Sequence, residues 1–242
     1  MRVVTPFRPF PPESVEHQAL GPFDWLGAID MLRTSVFHSN HCETYVLTDV
    51  DTRIERGPSC SYRTTSRRLM LWILEVCRRY IQSADFTEDT VMVSPDALVL
   101  CDLQPYFAGD FGMVVRPDHP RPILNAVQWW PVRAKAALSD LYDRACDLAA
   151  FAPEAQKQWG ADTAPFEYLL QPLYGGCGPR AFYASANLID ARQVLYSLRQ
   201  ADIDALARGE PVTRPDAVVD FRYLRKHHMR AYFTALFGEG LR

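Results

Sequence analysis

Along the chain, short apolar runs alternate with longer segments in which apolar side chains return every three or four positions, a pattern that predicts strands separated by helices. The first run, Arg2 to Thr5, is β-branched and stopped by Pro6, and the polar, proline-rich stretch from Arg8 to Pro12 reads as a loop. Between Trp25 and Phe37 the residues Trp25, Leu26, Ile29, Leu32, Val36 and Phe37 recur at helical spacing, and Thr44 to Thr48 reads as a buried strand. That is a β-α-β unit. Ser66 to Ile81 repeats the helical pattern through Leu69, Leu71, Trp72, Leu74, Val76 and Tyr80, with arginines opposite, and Thr90 to Val93 is the next strand.

In SPDALVLCDLQPYF an aspartate interrupts an apolar run that resumes as Ala97 to Leu100. Phe111 to Val115 and Ile123 to Trp129 form two further strands around the turn RPDHPRP, a hairpin spacing that makes the sheet mixed. Pro131 can start a helix over Val132 to Ala150, and a second helix, Ala164 to Leu170, follows KQWGADT. Then come the glycine cluster YGGCG, a helical stretch at Ile203 to Arg208, the loop GEPVTRPD, a strand at Ala217 to Phe221 and a helix near His227 to Phe237. The expected fold is α/β: a central mixed, mostly parallel sheet flanked by helices, with ligands at the carboxyl ends of the strands.

Length and composition narrow the class. A chain of 242 residues with 48% hydrophobic and 23% charged residues supports one substantial core. A net charge of -3 gives no global pull toward nucleic acid or anionic membrane. The six cysteines include no CxxC pair and several sit in apolar segments, so they read as reduced. MRVVTPFRPFPP lacks a signal-peptide apolar core, and no apolar run approaches the ~20 residues of a membrane helix, so the cytoplasm is the expected compartment.

Several residues can carry chemistry. Asp96 follows the apolar Val91 to Val93, which places its carboxylate at a strand end beside the expected crevice. There it can coordinate Mg²⁺ or Mn²⁺ and so neutralise a leaving diphosphate, although Ser-Pro-Asp is also ordinary turn chemistry. Arg63, Arg67 and Arg68 can reach a phosphate or face solvent. His38, His41, Cys42 and Glu43 match no closed zinc spacing. Trp129 and Trp130 either stack on a ligand or fill the core, and His227 and His228 form a basic rim or a solvated helix start. YGGCG lacks the phosphate-loop pattern and reads as a flexible acceptor loop.

The order of these segments resembles the GT-A glycosyltransferases, in particular the family-8-like members, over most of the chain. VMVSPDALVL stands where those enzymes carry an Asp-x-Asp metal motif, with Asp96 at the second aspartate and Ser94 at the first. VVTPF resembles the strand whose following loop cradles the nucleotide, and YVLTD, ending at Asp49, resembles the second strand of that half-domain. LNAVQWW resembles the Asn-x-Gly strand near the donor sugar, with Asn125 retained and Val127 where glycine is common. WGADT resembles the segment whose aspartate touches donor sugar or acceptor, here Asp162. DFRYLRKHHM resembles His-Phe-x-Gly-x-x-Lys, with Asp220 at the metal-binding histidine and Lys226 at the lysine that holds the diphosphate.

The resemblance implies one domain, 1–242, with 1–115 as nucleotide-binding half and 116–242 as acceptor-side half. It implies transfer of a sugar from a UDP- or GDP-sugar to a hydroxyl of a saccharide, small molecule, protein or modified nucleic acid. A divalent cation, Mn²⁺ or Mg²⁺, would be held by Asp96 and Asp220. Thr5, Pro6, Phe7, Asp49, Arg67, Arg68 and Lys226 would bind the nucleotide, and Asn125 and Asp162 would act on the sugar and acceptor, Asp162 as general base of an inverting reaction. Two competitors remain: a nucleotidyltransferase, whose Gly-rich basic signature is replaced here by PFRPFPP, and an inactive scaffold, which the altered motif positions allow.

Overall fold

In the computed structural model, residues 1–9, 23–119, 121–151, 162–170, 186–221 and 223–238 are described. The first half supplies β1 (Arg2–Pro6), β2 (Thr44–Asp49), β3 (Ser59–Tyr62), β4 (Thr90–Val93) and β5 (Ala97–Val99). The remaining strands are β6 (Phe111–Val115), β7 (Ile123–Trp130), β8 (Ala186–Asp190), β9 (Leu195–Ser197) and β10 (Val218–Asp220). They form a seven-stranded sheet in the order β3-β2-β1-β4-β7-β6-β8 and a three-stranded sheet in the order β5-β10-β9. In the large sheet β1, β2, β3 and β4 are parallel, and β7 runs against both β4 and β6. The expected mixed, mostly parallel sheet is therefore present.

Parallel strands need cover on both faces, which is why their sequences are continuous apolar runs instead of alternations. Val3 and Val4 of β1 show it: both are fully buried, and they enter two different cores. Helices α1 (Trp25–Asn40), α2 (Leu69–Gln82) and α3 (Lys135–Ala150) supply much of that cover. On one face α2 and α3 bring Trp72, Tyr80, Leu138, Leu141 and Tyr142. On the other, Leu32 and Val36 of α1 join Ala97, Val99 and Val218 of the small sheet. The shorter helices are α4 (Ala164–Leu169), α5 (Ala191–Val194), α6 (Gln200–Arg208) and α7 (Met229–Phe237). Met229, Tyr232 and Phe233 of α7 pack with Leu98 and Val219 of the small sheet and with Phe221 just past β10.

Local chemistry sets the element ends. Asp24 caps α1 by accepting the Gly27 N–H at 2.9 Å, and its carboxylate also holds Arg230 of α7 at 2.5 Å. The helix predicted from Ser66 begins at Leu69, and the Thr65 and Ser66 N–H groups before it bond to the Glu75 carboxylate at 2.9 Å. Pro131 opens a 3-10 turn, Val132–Ala134, before α3. The pattern missed β3, because SCSY at the sheet edge is polar and only half-covered, and it missed β8 and β9. It also merged the small sheet with the large one. The described cysteines, Cys42, Cys60, Cys77, Cys101 and Cys146, are free thiols, and burial pushes Cys101 up to about 12 and Cys146 to about 11. Cys177 and YGGCG lie outside the described residues.

Gly112 of β6 pairs with Trp129 of β7, and a Cβ added there would lie 2.9 Å from the Trp129 Cβ. Trp129 is fully buried and held by its indole N–H to the Leu103 carbonyl at 3.1 Å, so it has nowhere to yield. Gly112→Ala is expected to lower stability by about 1–3 kcal/mol through overpacking. Chemical denaturation checks this as a lower midpoint at unchanged slope.

Candidate active site

The parallel strands deliver their carboxyl ends to one side of the large sheet, where a cleft of about 470 Å³ opens. Pro6, Phe7 and Arg8 come from the end of β1, Trp25 from the first turn of α1, and Leu69, Met70, Trp72 and Ile73 from the start of α2. Ser94, Pro95 and Asp96 line it between β4 and β5. Arg116, His119 and Arg121, from the turn between β6 and β7, line it together with Leu124 and Asn125 of β7, and with Asp162, Thr163, Glu167, Asp220 and Lys226. Four cationic side chains, Arg8, Arg116, Arg121 and Lys226, thus face the carboxylates of Asp96, Asp162, Glu167 and Asp220. The lining carries no large excess of positive charge, so an anion here depends on individual cations rather than on a general field.

Asp96 is fixed where the two sheets meet. The Ser94 N–H donates to the Ala126 carbonyl of β7 at 2.8 Å, and the Asp96 carbonyl accepts the Phe221 N–H at 3.1 Å. Its carboxylate accepts the Ser94 hydroxyl on Oδ1 at 2.5 Å and holds Lys226 Nζ on Oδ2 at 2.7 Å. The side chains are only 10% and 9% exposed, so this pair is little screened by solvent. The Lys226 ammonium also sits 4.5 Å from the centroid of the Trp25 ring, within cation–π range.

This arrangement bears on the expected divalent ion. A magnesium site can consist of one or two carboxylates completed by water and substrate phosphates, so Asp96 and Asp220 are the right chemical type. Yet the Asp96 carboxylate is already neutralised by Lys226, and Ser94, at the first motif position, donates its hydroxyl to Asp96. Like unit charges 4 Å apart near a protein surface repel by about 4 kcal/mol, and a doubly charged ion on Asp96 would meet that repulsion from the ammonium. Among the described residues no group of three or more His, Cys, Asp or Glu side chains is gathered as a ligand set. With Asp96 paired to Lys226 and bonded to Ser94, the donors as folded do not fit a divalent ion.

The β7 part of the lining is built on a bulge. β6 pairs Met113 with Gln128 and then Val114 with Leu124, so Asn125, Ala126 and Val127 of β7 have no partner on β6. Such bulges re-aim side chains beside sites. Asn125 donates its amide to Asp162 Oδ2 at 3.0 Å, and the Asn125 carbonyl oxygen accepts from the Gln128 amide. Gln128, fully buried, accepts from Trp130 Nε1 at 2.9 Å and from the Tyr142 hydroxyl at 2.6 Å. Burial holds the Tyr142 phenol well above the usual tyrosine range, so it stays a donor. Sequence reasoning missed Gln128; a glutamine inside an otherwise apolar strand was the available signal.

Seven expected residues meet in the cleft: Pro6, Phe7, Asp96, Asn125, Asp162, Asp220 and Lys226. Thr5 is fully buried within β1, and Asp49 ends β2 away from the lining. Arg67 is exposed and Arg68 half-buried at the start of α2; what Arg67 contributes is its backbone carbonyl, a partner of Arg8. Arg63 is exposed as well. Trp129 and Trp130 are fully buried core residues. His227 is exposed and edge-on to Phe23, and His38 packs on Phe237 instead of joining a zinc group. The Arg116, His119 and Arg121 rim was read only as a turn, because its proline spacing masks its direction.

Arg8 is held over the cleft by a clamp that starts at Glu75. This buried carboxylate accepts the N–H groups of Thr65 and Ser66 and the Thr65 hydroxyl, fixing the segment before α2. The Ser66 carbonyl in turn accepts Arg8 at 3.0 Å, and the Arg8 guanidinium lies 5.1 Å from the Trp72 ring centroid. Burial pushes the Glu75 carboxyl up, but the Ser66 and Thr65 hydrogen bonds outweigh it, leaving it below the usual carboxylate range.

The architecture is that of the GT-A fold, seen in solved glycosyltransferases. A glycosyltransferase involved in glycosylating the major capsid of PBCV-1 superposes with a TM-score of 0.54 at 12% identity, covering 95% of this chain and 98% of that one. The galactosyltransferase LgtC, in complex with donor and acceptor sugar analogues, gives 0.54 at 8% identity over 97% and 96%. GlyE of Streptococcus pneumoniae TIGR4 gives 0.56 at 10% identity over 96% of this chain, which spans 59% of that protein. No protein-family profile matches the sequence, and no curated protein matches it by sequence. Among the described residues no helix is long and apolar enough to cross a membrane.

The Glu75 clamp has a pH signature. A depressed folded pKa contributes stability that is fully present above the unfolded glutamate value, about 4.3, and is lost as pH falls through the folded value. Glu75→Gln is expected to flatten that acid limb and, by turning an amide toward backbone donors, to cost about 1–3 kcal/mol at neutral pH. Denaturant midpoints measured from pH 3 to pH 7, on the mutant and the parent, check both.

Proposed function

We propose that this protein transfers a sugar from a nucleoside-diphosphate sugar, a UDP- or GDP-sugar, to an acceptor hydroxyl. The observation that carries the reading is a cleft at the strand ends lined by both a buried ammonium and an amide–carboxylate pair. Pro6, Phe7 and Arg8 occupy the rim where the loop after the first strand would cradle the nucleotide. Lys226 would neutralise charge that develops on the departing diphosphate, the kind of fixed electrostatic help that acts mainly in the transition state.

Asn125 and Asp162 would serve the sugar and the acceptor. Gln128 fixes the Asn125 carbonyl, so the Asn125 amide is committed to donating, and Asp162 receives it on one oxygen. The Asp162 carboxylate would orient the acceptor hydroxyl and take its proton. LgtC was solved with donor and acceptor sugar analogues, and a saccharide hydroxyl is the acceptor we propose to try first.

The test is calorimetric titration with UDP, GDP and their common sugar conjugates, followed by a product assay with saccharide acceptors. Asp162→Asn is expected to leave donor affinity within a few-fold and to lower turnover by about 10²–10⁴. An unchanged turnover would remove Asp162 from proton transfer. A folded protein that binds none of these nucleotides would be a scaffold that kept the architecture without the activity.

A further inference from the structure

Resting on the nucleotide-sugar reading, we propose that Lys226 is the built-in cation of this site, that Asp96 is its counter-ion rather than a metal ligand, and that diphosphate binding needs no divalent metal. The argument starts from Asp96. Its two oxygens are committed, one to the Ser94 hydroxyl and the other to the Lys226 ammonium at 2.7 Å. The pair is nine-tenths buried, and the backbone on both sides of Asp96 is tied to β7 and to the end of β10, so the carboxylate cannot turn elsewhere at low cost.

Lys226 is held just as firmly. The Trp25 ring lies against it at 4.5 Å, and both line the cleft. An ammonium carries three donors, and the Asp96 oxygen takes one, which leaves donor capacity for a phosphate oxygen in the cleft that Lys226 lines. A protein that keeps a lysine in this place has supplied the positive charge covalently. Seating a divalent ion on Asp96 would require displacing the ammonium first.

The two roles for Asp96 predict opposite signs. A metal ligand is needed for binding, so removing its charge abolishes metal-dependent affinity. A counter-ion competes with the incoming anion for the lysine, so removing its charge leaves the ammonium buried and unpaired until a diphosphate arrives.

The experiment titrates UDP and GDP into the full chain by calorimetry, in EDTA and in Mn²⁺, with thermal melts confirming that each variant is folded. The expected result is a Kd that differs by less than about threefold between the two conditions. Lys226→Met is expected to lose binding in both, and Lys226→Arg to recover it, showing that the charge and not the fold was missing. Asp96→Asn is expected to bind about tenfold more tightly and to gain more thermal stabilisation from the nucleotide than the parent does. Binding that requires Mn²⁺ and disappears in Asp96→Asn would overturn the inference while sustaining the nucleotide-sugar function. Loss of binding in Asp96→Asn without metal dependence would overturn the counter-ion role. Absence of nucleotide binding in either condition, by folded parent protein, would overturn both this inference and the function it rests on.

Discussion

Between Val93 and Ala97 the chain has only Ser94, Pro95 and Asp96 with which to leave the large sheet and start the small one. That crossing must satisfy its own backbone groups at a depth where water is scarce, and it does so by bonding to β7 on one side and to Phe221 on the other. Asp96 becomes the seam between two sheets. β10 is thereby brought antiparallel to β5, with Asp220 opposite Ala97, and the 3-10 turn after β10 places Lys226 over the Asp96 carboxylate. The cleft, the ion pair and the seating of α7 all follow from where this short crossing lies.

The same seam sets the electrostatics around Asp96. A carboxylate placed at a strand end is an available ligand only if nothing nearer claims it. Here a lysine from the far end of the chain claims it, and a serine hydroxyl occupies its other oxygen. Sequence spacing aligns Asp96 and Lys226 with two separate roles, and only the folded distance between them reveals that each is the other's partner.

Much of the framework was legible in the residue pattern. The runs at Arg2, Thr44, Thr90 and Phe111 became strands within a residue or two of their predicted ends, because doubly covered parallel strands leave an unbroken apolar signature. The polar edge strand Ser59–Tyr62 left none, and the short strands of the small sheet looked like continuations of the large one. Within the site, Asp96, Asn125, Asp162, Asp220 and Lys226 were found from motif positions and do meet in one cleft. Arg8, Trp25, Arg116 and Gln128 were not, since their directions depend on a clamp at Glu75, a helix cap at Asp24, a turn and a bulge. A linear pattern does not encode any of these.

The position of Lys226 has a consequence for how the protein comes into being. Asp96 belongs to the first half of the chain, whereas its partner arrives only with the turn that follows β10. Closing so long a loop costs entropy before any contact repays it, so this pair belongs among the slow, late contacts of folding. During synthesis the parallel strands of the first half can assemble while the carboxylate beyond β4 still faces water. The cleft is then completed late in folding, and a chain interrupted before that point would hold a nearly finished sheet whose Asp96 carboxylate still lacks its lysine.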